Sequence, residues 1–327
     1  LPAVTAQVIN ALYNIVDRMY IGRIAVIGTD ALTGVGITFP IIMIISAFAS
    51  LIGMGGAPFT SIKLGQKDSE GAERILGNCT TLLVTVSVIL TVALLFVKQP
   101  LLYLFGASDV TFPFANEYLS TYLIGTLAVQ LSLGLNAFIT AQGFASTAMA
   151  TVLIGAICNI VLDPIFIFLL GMNVQGAALA TIISQTVSAV WVIVFLNGKK
   201  TTLRIRRRFL SFVCPDTGRV LALGLSPFIM QSTESLIQIC FNVTLKQFGT
   251  DLDIGAMVIL TSVMQMVLMP LTGVAQGAQP IIGYNYGAKN YTRVKSTVKC
   301  MVAICCSYAV VMWAVCIFFP ELPCSIF

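Results

Sequence analysis

The sequence predicts an all-α membrane protein, a polytopic bundle of helices. Of its 327 residues, 57% are hydrophobic and only 9% are charged, whereas about 25% of the residues of a soluble domain are charged. Apolar runs long enough to cross a bilayer recur along the whole chain. They lack the alternation of apolar and polar residues that is typical of membrane β-strands, so we expect the spanning segments to be helices.

The apolar runs predict nine spanning helices, and one basic segment divides them. We expect an amino-terminal lobe over 1–198 with six spans, a basic cytoplasmic linker over 199–218, and a partial carboxy-terminal lobe over 219–327 with three spans. The predicted spans cover residues 1–20, 32–60, 75–97, 112–140, 146–170, 176–197, 219–246, 254–283 and 294–319.

The distribution of lysine and arginine predicts the orientation. Fourteen of the eighteen lie in or beside three connections, those between spans 2 and 3, 6 and 7, and 8 and 9. Because cytoplasmic loops carry an excess of these residues, we place the three connections in the cytoplasm and the protein in the plasma membrane, which for a bacterium is the inner membrane. We therefore interpret the basic linker as a cytoplasmic loop whose charge follows this rule, and we expect no nucleic acid as a partner.

An internal repeat relates the two halves of the chain. The segment GMGGAPFTSIKLGQKD, which begins at Gly53, resembles AQGAQPIIGYNYGAKN, which begins at Ala275, at an offset of 222 residues. Pro2 likewise matches Pro227 at an offset of 225. Six spans separate the copies, so both enter the membrane from the same side and the repeat is parallel. Because the second copy ends early, at Phe327, we expect a fragment of a protein with twelve spans.

The first helix carries a carboxylate among apolar residues. Gln7, Asn10, Asn14 and Asp17 fall on one face at helical spacing. A charged carboxylate at the centre of a bilayer costs about 2.5–3.5 kcal/mol on insertion scales. Such a group persists where it binds a proton, a metal ion or a cationic ligand. An alternative is that Arg18, the next residue, simply pairs with Asp17.

Two further helices carry acids at predicted membrane depth. Asn159 and Asp163 are four residues apart on the fifth span and face the same direction. Their amide and carboxylate oxygens suit Na⁺ or proton exchange. On the seventh span, Glu234 shares a polar face with other residues and either binds a cationic substrate or only lines a cavity. The other members of this face are Gln231, Gln238 and Asn242, and the remaining candidates for cavity lining or helix bridging are Gln130, Asn136, Gln265 and Gln276.

These motifs together resemble the MATE (multidrug and toxin extrusion) family in its bacterial branches. The resemblance rests on NIVDRMYIG at Asn14–Gly22, on the two repeat segments, and on CNIVLDPIFIF at Cys158–Phe168. Its Val-Asp-Arg form resembles the branch found in Gram-positive bacteria. The family resemblance implies two six-helix lobes and cation-driven efflux of organic, often cationic, compounds.

The resemblance also implies a cation site in the amino-terminal lobe. It assigns Asp17, Asn159, Asp163 and Thr181 to cation coupling, with Asp17, Asn159 and Asp163 as Na⁺ ligands if the coupling is to sodium. Thr181 has the alternative of bonding the carbonyl four residues earlier in its own helix. The substrate cavity would then be lined by Asn10, Asn14, Gln130, Gln231, Glu234, Gln238, Gln265 and Gln276.

The predicted function is therefore antiport of a small organic cation against Na⁺ or H⁺ by alternating access. We expect a monomer in the lipid bilayer, with no cofactor apart from the coupling ion. One alternative is a flippase for a lipid-linked oligosaccharide, whose cavity would need basic residues for pyrophosphate. A second is an integral membrane enzyme, which the absence of histidine and of clustered acids disfavours. The sequence leaves the exported compound and the coupling ion open.

Overall fold

The structure is a computed structural model that describes residues 1–24, 27–211, 216–248 and 251–318. These residues form ten α-helices and no strand. The helices are α1 (Pro2–Gly22), α2 (Gly28–Gly65), α3 (Ser69–Leu104), α4 (Phe112–Ile124), α5 (Thr126–Ala141), α6 (Ala145–Pro164), α7 (Asn173–Asn197), α8 (Thr217–Phe248), α9 (Asp251–Gly287) and α10 (Tyr291–Phe318). We call α1–α7 the first lobe and α8–α10 the second lobe.

Seven of the nine expected spans lie on single helices, apart from residue 319 outside the described residues, while the fourth covers the α4–α5 pair and the fifth covers α6 and the turn after it. Within the described residues, six helices are long and apolar enough to cross a membrane, namely α2, α3, α6 with the turn that follows it, α7, α8 and α10. The α4–α5 pair adds a seventh if it counts as one span. Spanning by α1 and α9 stays a prediction, and in α1 the polar stripe that ends at Asp17 lowers the mean hydropathy.

Two breaks interrupt the expected fourth and fifth spans. The axes of α4 and α5 meet at an angle of 59° at Gly125, where an added Cβ would lie 2.5 Å from the side chain of Ile182 on α7. The chain therefore bends where a helix from the same lobe approaches closely. The second break follows Pro164, where a π-helical turn at Ile165–Leu169 continues α6, because proline cannot donate a backbone hydrogen bond.

The longest helix, α2, lies at the centre of the bundle. Its 38 residues span about 57 Å at 1.5 Å per residue, which exceeds the roughly 30 Å of a bilayer core. It packs against α3, α4 and α5 of the first lobe and against α8 and α9 of the second. The helix α1 also contacts both lobes, since it packs on α6 and on α9.

The two repeat segments fold into the same turn. Lys67 after α2 and Lys289 after α9 both have positive φ angles, of 63° and 58°. The next residue then caps the following helix: Gly71 N donates to Asp68 Oδ1 at 2.8 Å, and Arg293 N donates to Asn290 Oδ1 at 3.4 Å. The sequence match between the segments thus extends to backbone conformation and helix capping.

The described part of the basic linker, up to residue 211, is fastened to the first lobe. The Oε1 atom of Gln142, after α5, accepts hydrogen bonds from Thr201 Oγ1 at 2.8 Å and from the backbone N–H groups of Thr202 and Leu203, both at 3.0 Å. Leu203 is fully buried. This described part of the linker therefore lies as a strap across the ends of α3 and α5.

Candidate cation-coupling site

A pair of carboxyl groups forms the centre of the candidate site. Asp17 on α1 and Asp163 on α6 lie in side-chain hydrogen-bonding contact, because the two helices pack together along this stretch. Asp163 has no exposed surface, and the Oδ1 atom of Asp17 is shielded from solvent. The two acids on these separate helices thus form one pair, in which Asp163 is fully buried and Asp17 is half-buried.

The amide of Asn159 joins this pair to α7. Its Nδ2 donates to Asp163 Oδ1 at 3.2 Å and to Thr181 Oγ1 at 3.4 Å, and the residue is 2% exposed. The Asn159–Asp163 spacing therefore places both side chains on the same face of α6, as predicted. The structure brings together all four residues that the resemblance assigns to cation coupling.

Three buried oxygen atoms in this cluster have no hydrogen-bond partner in the described part of the protein. They are Asp17 Oδ1, Asp163 Oδ2 and Asn159 Oδ1. A buried acceptor without a partner costs about 1–3 kcal/mol, so three together are an expensive arrangement for packing alone. Carboxylate and amide oxygens are ligands that hard cations prefer, and the cluster is chemically suited to receive one.

Tyrosines on α4 complete the surroundings, and sequence reasoning missed them. The hydroxyl of Tyr118 hydrogen-bonds the side chain of Thr181, and Tyr118 and Tyr122 stack with ring centroids 6.3 Å apart. Both are at most 5% exposed. A buried tyrosine hydroxyl needs a polar partner, so two tyrosines four residues apart in an apolar helix were an available signal.

Arg18 forms no ion pair with the acid beside it in the described part of the protein. Its guanidinium lies over the ring of Phe39, 4.9 Å from the ring centroid, and no Asp17–Arg18 ion pair occurs among the ion pairs of the described residues. Adjacent residues in a helix point about 100° apart, which explains the separation. The alternative in which Arg18 simply pairs with Asp17 is therefore wrong.

The expected cavity residues divide into an interlobe seam and a structural bridge. Across the seam, Gln7 donates to Gln276 at 3.1 Å and Gln231 donates to Ser50 at 2.9 Å. Gln130, by contrast, is fully buried and donates to the Ile45 carbonyl at 2.8 Å. In this structure Gln130 bridges α5 and α2, which was the second of its two expected roles.

The remaining candidates lie on α1, α8 and α9. Glu234, half-buried on α8, accepts a hydrogen bond from Gln265 on α9 at 3.3 Å, and Gln238 is half-buried one turn further along α8. Asn10 lines a cavity inside the first lobe rather than the seam. The side chain of Asn14 lies outside the described residues.

No group of three or more aspartate, glutamate or cysteine side chains in the described ranges could hold a metal ion. A cation at the Asp17–Asp163 pair would therefore draw on amide and hydroxyl oxygens as well as the two carboxylates. Such a mixed, oxygen-only ligand set differs from the thiolate and imidazole sites of zinc proteins.

Comparison with known sequences gives consistent relatives. The MatE family profile matches residues 2–165 and 227–327. Multidrug export protein MepA of Staphylococcus haemolyticus is 27% identical over 316 residues, which cover 96% of this chain and 69% of that protein. The MepA protein of Staphylococcus aureus is 24% identical over 302 residues, which cover 92% of this chain and 66% of that protein.

Solved structures agree with these sequence relatives. The MATE multidrug transporter DinF-BH superposes with a TM-score of 0.93 at 36% identity, over 100% of this chain and 73% of its own. An outward-facing multidrug resistance MATE family transporter superposes with a TM-score of 0.91 at 25% identity, over 100% of this chain and 72% of its own. These relatives are multi-pass membrane transporters and not enzymes. The chain belongs to the MatE family of multidrug efflux transporters.

Proposed function

We propose that this protein exports organic cations by antiport against Na⁺ or H⁺, with the Asp17–Asp163 pair as the coupling site. The contact between the half-buried Asp17 and the fully buried Asp163 carries the proposal. Two carboxylates in contact resist joint ionisation, so one proton or one metal ion must accompany the pair. Asn159 and Thr181 supply further oxygen ligands beside it.

The position of α1 supports coupling between the lobes. Asp17 faces α6 in the first lobe, while Gln7 on the same helix bonds Gln276 on α9 in the second. A change of charge at Asp17 alters how α1 packs on α6, and a rigid helix carries that change to the contact with α9. Binding of the ion and of the drug then disfavour each other, and this coupling acts equally in both directions.

The sign of the intramembrane charge supports a cationic cargo. The acidic residues within the predicted spans that line the site and the seam are Asp17, Asp163 and Glu234. Anionic cargo such as a lipid-linked pyrophosphate would need basic residues at these positions. Glu234, which is half-buried between α8 and α9, lies in the second lobe and is our candidate for contact with the drug.

The arrangement of the basic connections supports an orientation in a bacterial plasma membrane. The turn after α2 lies against the turn after α9, since a Cβ on Gly65 would lie 3.0 Å from Ala288 N. Arg206 of the linker pairs with Glu73 near the start of α3 at 2.6 Å. All three basic connections therefore meet at one end of the bundle, which we assign to the cytoplasm.

The test is efflux of a fluorescent organic cation from cells that carry the complete gene. We expect Asp17→Asn and Asp163→Asn each to reduce ion-driven efflux at least tenfold at normal expression. The matched control is Asp30→Asn, which changes an exposed acid in the first turn of α2 and should export normally. Replacing Na⁺ by choline, and separately collapsing the pH gradient, identifies the coupling ion. Normal export by Asp17→Asn under both gradients would refute the proposal.

A further inference from the structure

A cavity with a mixed polar and apolar lining lies inside the first lobe, beside Asn159 and Thr181 of the candidate site. It lies between α1, α5, α6 and α7 and measures about 50 Å³, counted as the space that the centres of water molecules can occupy. About 10–15 Å³ of such space holds one water, so the cavity has room for about three to five. Polar residues from all four helices line it: Asn10, Ser132, Asn136, Thr151, Gln185 and Ser188.

The cavity extends from the acid pair towards the linker end of the bundle. Asn159 and Thr181 lie at one end of it. On α6 the lining continues to Thr151, eight residues earlier, or about 12 Å along the helix. On α7 it continues to Ser188, about 10 Å from Thr181 and in the direction of the basic linker. The cavity thus points away from the end of α6 that carries Pro164.

The lining favours water. The Oδ1 atoms of Asn136 and Asn159 are buried and have no protein partner in the described residues. The amide of Asn136 donates to the Ala148 carbonyl at 3.2 Å, and that bond fixes the orientation of its side chain. A water molecule in a cavity needs polar partners, and these two oxygens offer them. Water held there would lower the cost of moving a cation away from the carboxyl pair within the membrane.

An aromatic pair lies at the linker ends of α6 and α7. Phe144 is the residue before α6, and Phe195 lies seven residues after Ser188 on the same face of α7. The two rings pack edge to face with centroids 5.3 Å apart. The pair therefore lies closer to the linker than the residues of α6 and α7 that line the cavity.

We propose that this cavity is the exit through which the coupling cation passes from the Asp17–Asp163 pair towards the linker side. The exit lies within the first lobe, apart from the interlobe seam, and the Phe144–Phe195 pair is its inner closure. This inference rests on the proposed antiport function. It predicts that cation release can be changed without a change in cation affinity or in drug binding.

Gly155 provides a direct way to obstruct the cavity. A Cβ at Gly155 would lie 2.6 Å from Ser188 Oγ, so a larger side chain there occupies the space between α6 and α7. We expect Gly155→Val to slow cation release at least tenfold, with the equilibrium affinity for the cation within twofold of wild type. Val161→Leu is the matched control, because it adds bulk at an exposed position of the same helix and should release the cation normally.

Phe195→Ala tests the closure, and its expected effect on cation movement is opposite to that of Gly155→Val. Removing one ring opens the linker end, and we expect the cation leak in the absence of drug to rise at least fivefold. Both variants are measured with the complete protein in oriented liposomes, with radioactive Na⁺ or a pH-sensitive dye inside. If Gly155→Val does not fold, Asn136→Leu takes its place. It removes the unpartnered Oδ1 atom on the α5 side of the cavity and should slow cation release in the same way.

The outcomes separate this inference from the proposed function. Loss of exchange in Asp17→Asn together with normal release in Gly155→Val and Asn136→Leu and no leak in Phe195→Ala would overturn the exit and leave the antiport intact. Normal exchange in Asp17→Asn would overturn both. Slow release in Gly155→Val with a leak in Phe195→Ala would support the exit.

Discussion

Gly65 on α2 and Gly287 on α9 occupy equivalent positions in the two copies of the repeat, and each lies against the backbone of the other copy. A Cβ on Gly65 would lie 2.0 Å from the carbonyl oxygen of Tyr284, and a Cβ on Gly287 would lie 2.0 Å from that of Ile62. Ile62 and Tyr284 are themselves equivalent at the offset of 222 residues. This reciprocal contact is the pattern of a two-fold interface, so the pseudo-symmetry axis passes through the crossing of α2 and α9.

At this crossing of α2 and α9, the addition of a single methyl group is predicted to lower the free energy of unfolding. Gly65→Ala forces two backbones apart, and we expect it to lower the free energy of unfolding by about 1–3 kcal/mol. Gly36→Ala is the matched control, because it changes the same helix at a position with no atom within 4 Å of the new Cβ. It should stabilise the protein by about 0.5–1 kcal/mol. Thermal unfolding in detergent measures both, and an equal effect of the two substitutions would contradict the crossing as the cause.

Tyr118 is predicted to contribute to cation affinity through Thr181. Tyr118→Phe removes the hydroxyl that hydrogen-bonds the Thr181 side chain while keeping the ring in the core. A hydrogen bond of this kind contributes about 0.5–1.5 kcal/mol, so we expect cation affinity to fall about two- to tenfold. Calorimetric titration with Na⁺, or the pH dependence of exchange, measures the loss.

The control for Tyr118→Phe is Tyr103→Phe, which removes a hydroxyl from an exposed position on α3. We expect it to leave cation affinity unchanged. A pure packing role for Tyr118 predicts a different result, namely lower thermal stability with the same cation affinity. Separate measurement of the melting temperature and of the affinity therefore decides between the two roles.

Local spacing predicted single parts of the site, whereas the grouping of Asp17 and Thr181 with Asn159 and Asp163 came from the family resemblance. Asn159 and Asp163 are four residues apart, so helical geometry alone places them together, and a carboxylate among apolar residues marks Asp17. Tyr118 joins them only because α4 packs against α7. Such packing between helices 60 residues apart leaves no local periodicity in the sequence.

Two glutamines also show that local sequence does not reveal which residues face the cavity. Gln130 and Gln276 both interrupt apolar helices, and nothing in their neighbourhoods distinguishes them. In the structure Gln130 is fully buried and bonds a carbonyl of α2, whereas Gln276 bonds Gln7 across the seam. Which face of a helix meets the cavity depends on how the helices rotate against each other. The bend at Gly125 could not be predicted from the sequence either, because glycine is common within membrane helices.

The strap formed by the linker is predicted to depend on Glu73. This side chain is 8% exposed, and its Oε2 atom lies 2.6 Å from Arg206 Nε, while its Oε1 atom accepts from the backbone of Arg204 at 3.3 Å. Arg206→Ala leaves this buried carboxylate with the backbone N–H of Arg204 as its partner in the described part of the linker. We expect it to destabilise the strap by about 1–3 kcal/mol.

Trypsin cleavage within the linker measures this loss, because cleavage requires local opening of the strap. We expect Arg206→Ala to be cleaved several times faster than the wild type. Arg207→Ala is the control, since it removes one basic residue and one cleavage site at an exposed position. If both variants are cleaved at the same rate, Glu73 does not hold the strap.

Asp68 is predicted to stabilise the turn after α2 in two separable ways. Its Oδ2 atom lies 2.9 Å from Lys63 Nζ, and its Oδ1 atom accepts the Gly71 N–H at 2.8 Å as the cap of α3. The hydrogen bond from Lys63, together with that from Gly71, lowers the pKa of Asp68 below its usual value of 3.8. Asp68→Asn removes the ion pair and keeps the cap, as Asn290 does in the second copy. Asp68→Ala removes both.

We expect Asp68→Asn to cost less than about 1 kcal/mol, since its carboxylate is 40% exposed and exposed ion pairs contribute little. Asp68→Ala should cost about 1 kcal/mol more, which is the contribution of a helix cap. Because folding lowers the pKa, the stabilisation is complete above the usual pKa and is lost as the pH falls through the lowered value. The difference in melting temperature between wild type and Asp68→Asn should therefore be constant from about pH 8 to about pH 5 and shrink below about pH 4. A difference that shrinks as the pH rises would contradict the assignment, because the ionised carboxylate would then not be the stabilising form.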